Sequence, residues 1–145
     1  MKHLVLLFAL FLISGCSSEL ENNVEKLVEN KNKWIKSVPN RNYSYTYRHK
    51  CYCSYNDEII KIKVDDGSVV SVTLANGENI RDKRFKTIKQ HFENILEIIK
   101  LEEWEGSANI KIEYDKELGF PSLIRIKRNG MHGFMLINIS NVIIE

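Results

Sequence analysis

The stretch YSYTYRHKCYCSYNDEIIKIKVDDGSVVSVTL, residues 43–74, decides the fold class of this chain. Apolar and polar residues alternate in three short runs, which predicts three strands that each bury one face. The apolar members of these runs are Tyr43, Tyr45 and Tyr47, then Ile60, Ile62 and Val64, then Val70, Val72 and Leu74. Asp66-Gly67 separates the last two runs and is typical of a tight hairpin, because both central residues of a type I′ turn need positive φ. The stretch therefore predicts an antiparallel meander.

An amphipathic helix is predicted on the N-terminal side of this meander. Ser18 and Glu21 form a capping box, in which the serine is the N-cap and the glutamate follows three residues later. Apolar residues then recur at helical spacing at Leu20, Val24, Leu27, Val28, Trp34, Ile35 and Val38. Pro39 ends the helix. This stripe either packs on the domain's own sheet or faces a membrane or a partner. A domain is built from at least two packed layers that bury each other's apolar faces, which favours packing on the sheet.

The second half of the chain has the same order of elements. Thr87 and Gln90 form another capping box, and an apolar stripe predicts a helix over residues 88–101. Three further strands follow, with apolar positions at Ile110, Ile112 and Tyr114, at Ile124 and Ile126, and from Phe134 to Ile139. The predicted fold is α+β: an antiparallel sheet of about six strands with both helices on one face, in the order α-βββ-α-βββ. This order indicates a weak internal duplication, and two smaller sheets are the alternative arrangement.

The N-terminus is typical of an export signal. Residues 4–13 form an apolar run that has the length of a signal-peptide core and is too short to span a bilayer as a helix. Ile13-Ser14-Gly15-Cys16 resembles the lipobox of bacterial lipoproteins. The resemblance implies cleavage after Gly15 and a diacylglyceryl thioether on Cys16. An ordinary cleaved signal and a short uncleaved anchor are the other interpretations of this segment.

These features set the expected domain boundaries and location. Residues 1–15 are the signal peptide, residues 16–19 are the lipidated N-terminus with a short tether, and residues 20–145 are a single α+β domain. In Gram-negative lipoproteins, an aspartate directly after the modified cysteine resembles an inner-membrane retention signal. This chain has Ser17 at that position instead. We therefore expect a lipid-anchored protein of the cell envelope, held at the outer membrane and facing the periplasm.

Charge balance restricts the class of partner. The chain has 21 Lys+Arg against 19 Asp+Glu, whereas a nucleic-acid binder shows a strong basic excess. The balance also argues against electrostatic adhesion to anionic lipid. The expected partners are therefore the lipid bilayer, through acylated Cys16, and an envelope protein or small ligand, with no nucleic acid.

Cys51 and Cys53 are the residues with the most distinctive chemistry. If Cys16 is acylated they are the two remaining thiols, and an exported pair in an oxidising compartment favours a disulfide. Closing so short a loop gains only about 1.6 kcal/mol of chain entropy. The alternatives are a redox-active pair and a soft metal site that recruits His49 to bind Cu(I) or Zn(II).

Other chemical groups give weaker signals. Met131, His132 and Met135 form a second soft cluster, which we interpret as incidental, and His91 is expected to be solvated beside the apolar stripe of its helix. The sequence has no Ser-His-Asp order, nucleophile elbow, phosphate loop or zinc-protease helix. It therefore predicts no catalytic residue and no cofactor.

Four fragments together resemble a known family. They are Tyr43-Ser44-Tyr45, Cys51-Tyr52-Cys53, VDDGSVVSV at residues 64–72 and YDKELGFP at residues 114–121. Their order and spacing are similar to the domain-of-unknown-function family 6174 of secreted bacterial domains and lipoproteins, over residues 34–128. The resemblance implies export and a compact α+β domain with a Cys-x-Cys pair, and it implies no activity.

We expect a membrane-anchored envelope lipoprotein that works as a non-enzymatic binding or interaction module. The tyrosine stripe of the first strand is a candidate face for a peptide or glycan, although burial beneath a helix is the favoured interpretation. The alternative function is a thiol-redox or metal-handling lipoprotein that uses Cys51 and Cys53.

Overall fold

Two helices and one six-stranded antiparallel sheet make up the part of the chain that the computed structural model describes, residues 19–105, 108–128 and 133–145. In chain order these elements are α1 (Glu19–Ser37), β1 (Tyr43–Lys50), β2 (Ile60–Asp65), β3 (Ser68–Leu74), α2 (Ile88–Glu105), β4 (Ala108–Tyr114), β5 (Pro121–Arg128) and β6 (Phe134–Ile144). The strands lie in the order β3-β2-β1-β6-β5-β4. The predicted mixed fold with one antiparallel sheet is confirmed, and the arrangement in two smaller sheets is wrong. The internal duplication stays a prediction.

Several predicted features lie outside the described residues. They are the signal peptide, the lipidation site Cys16, the first N-cap Ser18 and two members of the soft cluster, Met131 and His132. Neither helix of the described ranges is long and apolar enough to cross a bilayer.

The first meander has the predicted hairpin. β1 pairs with β2 so that Tyr45 lies opposite Ile62, and β2 continues into β3 through a two-residue turn. Both central residues of that turn have positive φ, 45° at Asp66 and 74° at Gly67, as a type I′ turn requires. The Arg41 guanidinium donates a hydrogen bond to the Asp66 carboxylate and ties the turn to the segment before β1.

One face of the sheet is covered by both helices. Side chains of α1 and α2 share one buried cluster with alternate strand residues and with Val38, which directly follows α1. The helical members are Leu27, Trp34, Ile88, Phe92, Ile95 and Ile99. The Trp34 ring meets the Tyr43 ring edge-on, with 4.9 Å between their centroids. Val28 and Ile35 belong to the predicted stripe of α1 but are about half exposed. The buried side of α1 is therefore narrower than predicted, and it is centred on Leu27 and Trp34.

The start of α2 is fixed by reciprocal hydrogen bonds. The Thr87 N–H donates to Gln90 Oε1 at 2.8 Å, and the Gln90 N–H donates to Thr87 Oγ1 at 3.2 Å, which confirms the capping box. The Tyr43 hydroxyl accepts a further hydrogen bond from the Ile88 N–H at 2.9 Å. Because first-turn amides have no partners within a helix, these contacts place α2 firmly against β1. The helix extends past its predicted end to Glu105.

The YDKELGFP fragment forms a turn that braces α1. The Asp115 carboxylate accepts hydrogen bonds from two amides of the turn, at 3.0 and 2.7 Å. The Lys33 ammonium of α1 donates to the Lys116 carbonyl. Gly119 has a φ of 82°, and a Cβ at this position would lie 2.7 Å from the backbone oxygen of Asn30 in α1. The close approach of the turn to the helix therefore depends on this glycine.

Candidate functional site

A surface cleft lies where β1 ends, between the loop of residues 51–57 and the segment of residues 81–86. Its volume is about 300 Å³. The side chains that line it are Tyr47, His49, Cys51, Cys53, Ser54, Tyr55, Asp82, Arg84, Phe85 and Met135. This cleft, termed the β1 cleft, joins the cysteine pair and the histidine that the sequence singles out to residues of a polar segment and of β6.

Three aromatic rings form an apolar wall of the β1 cleft. Phe85 lies edge-on to Tyr47, with 5.8 Å between centroids, and is tilted against Tyr55 at 6.1 Å. Burial raises the pKa of Tyr47 to about 12, so its hydroxyl is neutral at pH 7. The wall is therefore uncharged and suits contact with an apolar or ring-shaped group.

His91 packs behind this wall. Its ring stacks on Tyr47, with 5.7 Å between centroids, and the residue is only 4% exposed. The prediction that His91 is solvated is wrong, because α2 packs on the sheet with the His91 ring against Tyr45 and Tyr47 of β1. Burial, and next the charge of Lys86, lower the pKa of His91 to about 4. The ring is thus a neutral support for Tyr47 at pH 7.

The tyrosine stripe of β1 is divided between the core and the cleft. Tyr43 and Tyr45 are 3% and 2% exposed, so the prediction of burial beneath a helix is confirmed for both. The Tyr45 hydroxyl donates to the Lys86 carbonyl just before α2. Burial, and next the proximity of Tyr43, raise the pKa of Tyr45 well above its usual value. Tyr47 is the member of the stripe that lines the β1 cleft.

Asp82 and Arg84 form a charged edge of the cleft. Arg84 Nε and Nη2 donate to Asp82 Oδ2 at 2.8 and 2.6 Å. These hydrogen bonds are the main reason why the pKa of Asp82 lies below its usual value. The pair fixes the plane of the guanidinium, and Arg84 remains well exposed. An acidic group in the cleft could therefore reach an oriented cation.

Cys51 and Cys53 are placed as a disulfide pair directly after β1. Their Cα atoms are 5.3 Å apart, and the strand ends at Lys50. The end of the strand agrees with the sequence argument, since side chains two residues apart on a regular strand stand too far apart to bond. The Asp57 N–H then donates to the His49 carbonyl at 2.6 Å, which folds the loop back onto β1.

His49 lies beside the cysteine pair, as the sequence analysis proposed. The residue is 8% exposed, and its Nε2 is 3.0 Å from the Ser54 carbonyl oxygen. Its Nδ1 is buried and has no hydrogen-bond partner among the described residues. Ligand atoms of His49, Cys51 and Cys53 all lie within 4.8 Å of one another. The structure therefore brings together the three residues of the metal-site alternative.

Five residues that line the site were not predicted from the sequence: Ser54, Tyr55, Asp82, Arg84 and Phe85. Phe85 is one of only two large apolar residues in the otherwise polar segment 75–86, and that exception is the signal that could have identified it. Met135 was interpreted as part of a separate, incidental cluster. It lines the β1 cleft because β6 pairs with β1, a contact that no local pattern predicts.

Comparison with known proteins identifies the family but no function. Residues 26–143 match a family of unknown function, DUF6174. The chain belongs to DUF6174. No curated protein matches the chain, and no solved structure matches it either.

The four sequence fragments of this DUF6174 domain have different structural roles. Tyr43 and Tyr45 of the first fragment fill the core, Asp66-Gly67 of the third makes the hairpin, and YDKELGFP braces α1. The Cys-x-Cys fragment instead lies at the β1 cleft. Three of the fragments thus have a structural explanation, and the remaining one directs attention to the cleft.

Proposed function

We propose that this protein is a membrane-anchored lipoprotein of the bacterial cell envelope and that its DUF6174 domain binds a ligand in the β1 cleft. The lipobox-like sequence that ends at Cys16 supports the anchor, and Ser17 supports an outer-membrane location facing the periplasm. Cys16 precedes the start of α1 at Glu19 by only three positions. The folded domain would therefore stay close to the bilayer.

The aromatic wall beside the Asp82–Arg84 pair is the observation that carries the binding proposal. A concave site with apolar walls and a few oriented polar groups is the usual form of a small-molecule site. The volume of about 300 Å³ is at the lower end for such sites, so it accommodates a single ring with a short substituent. The cleft therefore suits a ring-bearing group with a carboxylate, which Arg84 would bind, such as an envelope peptide or a glycan fragment.

The anchor is tested by the mass of the mature N-terminal peptide from the membrane fraction. Acylation of Cys16 adds several hundred daltons to a peptide that begins at this residue. The Cys16→Ser variant should leave the membrane fraction, because the acyl chains that hold the protein in the bilayer are lost. An unmodified N-terminal peptide in that fraction contradicts the anchor.

Ligand binding is tested with the oxidised full chain in detergent by saturation-transfer NMR. The probes are a glutamyl-phenylalanine dipeptide and N-acetylmuramic acid, which is a single sugar ring with a carboxylate. We expect Phe85→Ala to weaken binding by about twofold to tenfold, which is the contribution of one aromatic contact. Arg84→Gln should weaken binding of the same probe.

The matched control is Ile35→Ala, a truncation of an exposed apolar residue on α1 that is not part of the cleft lining. This variant should bind as the unmodified protein does. The binding proposal is contradicted if neither probe binds, or if Phe85→Ala and Ile35→Ala change affinity equally.

A further inference from the structure

We infer that reduction of the Cys51–Cys53 bond creates a site for one Cu(I) ion, bound by both cysteine thiolates, His49 Nδ1 and Met135 Sδ. The site is formed by one wall of the β1 cleft. It goes beyond the proposed binding of a ring-bearing ligand, because it exists only in the reduced protein and takes a metal ion.

The first observation is the orientation of His49. Because the Ser54 carbonyl can only accept a hydrogen bond, the contact at 3.0 Å assigns the ring proton to Nε2. Nδ1 then carries a lone pair, and it is buried with no hydrogen-bond partner in the described ranges. A histidine that ligates a metal almost always donates its other ring N–H to a carbonyl or carboxylate in this way. His49 is therefore held in the form that a metal ligand needs.

The second observation is the spacing of the ligand atoms. Metal–sulfur and metal–nitrogen bonds are about 2.0–2.3 Å long, so two ligands of one ion lie at most about 4.6 Å apart. One ring nitrogen of His49 and the sulfurs of Cys51 and Cys53 lie within 4.8 Å of one another, which is close to this limit. Once the sulfur–sulfur bond is broken, small side-chain rotations bring all three to one ion.

The third observation is the position of Met135. In the β1–β6 register, His49 lies opposite Ile137 and Lys50 lies opposite Leu136. Met135 is the next residue of β6 beyond this pairing, Cys51 follows the end of β1 directly, and both side chains line the β1 cleft. Met135 therefore lies at the same end of the β1–β6 pair as the cysteines, and its long, flexible thioether side chain can adapt to a nearby ion. Met135 thus supplies the fourth ligand that the sequence analysis did not find.

The donor set selects the metal. Two thiolates and a thioether are soft ligands, which favour Cu(I), and the imidazole is compatible with it. A dithiol reductant opens the site: it transfers two electrons and two protons to the Cys51–Cys53 bond and itself becomes a disulfide. Cu(I) then displaces both thiol protons into solvent and keeps its oxidation state. Because the bond closes only a very short loop, its loss should leave the rest of the domain folded.

The inference is tested by anaerobic Cu(I) titration of the full chain in detergent, in competition with a chromogenic Cu(I) chelator. The same preparation in its oxidised form is the matched control. We expect one Cu(I) per chain in the reduced protein and none in the oxidised protein. X-ray absorption of the copper complex should show sulfur ligands together with one nitrogen ligand.

Two variants separate the ligands. Cys51→Ser combined with Cys53→Ser should abolish binding while Cys16 is still present. Met135→Leu preserves volume and apolarity. It should weaken Cu(I) binding at least tenfold, because even residues that only support the ligands of a metal site contribute that much. A near-UV circular dichroism spectrum checks that each variant is folded.

Four results would overturn the inference. They are the absence of stoichiometric Cu(I) in the folded reduced protein, equal binding before and after reduction, unchanged affinity in the Met135→Leu variant, and displacement of Cu(I) by an equimolar amount of Zn(II). Ligand binding to the oxidised cleft is measured separately, so its failure does not produce any of these results.

Discussion

Gly119 offers the sharpest test of how the turn before β5 positions α1. Its φ of 82° is in the left-handed region, and a Cβ there would lie 2.7 Å from the Asn30 backbone oxygen and 3.0 Å from Lys33 Cβ. The nearest atom belongs to the backbone of a helix, so it cannot rotate away as a flexible side chain would. Gly119→Ala should therefore force the turn and α1 apart.

Gly77 provides the matched control for the backbone part of this cost. Its φ is 89°, and a Cβ there meets nothing within 4 Å. An alanine at positive φ costs about 1–2 kcal/mol, and a stiffer unfolded chain offsets about 0.4–1 kcal/mol of that. We therefore expect Gly77→Ala to destabilise the domain by about 0–2 kcal/mol. Gly119→Ala carries the same terms and, in addition, overpacking of about 1–3 kcal/mol.

The assay is urea unfolding of the full chain followed by far-UV circular dichroism, with free energies obtained by linear extrapolation. The expected result is that Gly119→Ala lowers the free energy of unfolding by about 1–3 kcal/mol more than Gly77→Ala does. Equal losses in the two variants would refute the reasoning. They would mean that the turn moves freely and that contact with Asn30 does not fix α1.

Three further predictions concern buried hydroxyls, pH and the cysteine pair. Tyr43→Phe removes the hydroxyl that accepts a hydrogen bond from an α2 amide, so it should lower the free energy of unfolding by about 1–3 kcal/mol in urea. Tyr114→Phe removes a buried hydroxyl that has no hydrogen-bond partner among the described residues, so it should leave the free energy of unfolding unchanged. Equal losses in the two variants would contradict this assignment. Because the pKa of His91 is about 4 in the folded protein and about 6.5 when unfolded, the unfolded state takes up the extra proton, so stability should fall by up to about 3 kcal/mol between pH 7 and pH 4. His91→Phe should remove that part of the loss, and an unchanged pH profile would contradict the burial. The Cys51→Ser, Cys53→Ser double variant should lose only about 1.6 kcal/mol relative to the oxidised protein, and a loss above about 3 kcal/mol would show that the bond does more than close a short loop.

Features set by neighbouring residues could be predicted from the sequence. The alternation of β1 to β3, the Asp66-Gly67 turn and the capping box at Thr87 each depend on a few consecutive side chains. The proximity of His49 to the cysteines follows in the same way from the period of a strand. These predictions are correct because each structure is formed by residues that are also close together in the sequence, so a local pattern is enough to indicate it.

Features set by long-range pairing could not be predicted. β1 lies beside β6 in the sheet, although five of the eight elements separate them along the chain. That pairing brings Met135 to the β1 cleft, and no periodicity within either strand reveals it. The burial of His91 likewise depends on how α2 packs against Tyr45 and Tyr47. A helix with a broad apolar side can pack on a sheet at several rotations about its own axis, and the sequence does not select one of them.

The alternation of β1 couples the core of the domain to the cleft. Tyr43 and Tyr45, which fill the core, lie on the same side of the strand as Tyr47 and His49, which line the cleft. An insertion of one residue in β1 would turn the side chains of this set that follow the insertion to the opposite face of the sheet. An insertion in β1 would therefore disturb the cleft and the core together. Changes in the 51–57 and 81–86 segments would alter the cleft without shifting Tyr43 and Tyr45 in the core.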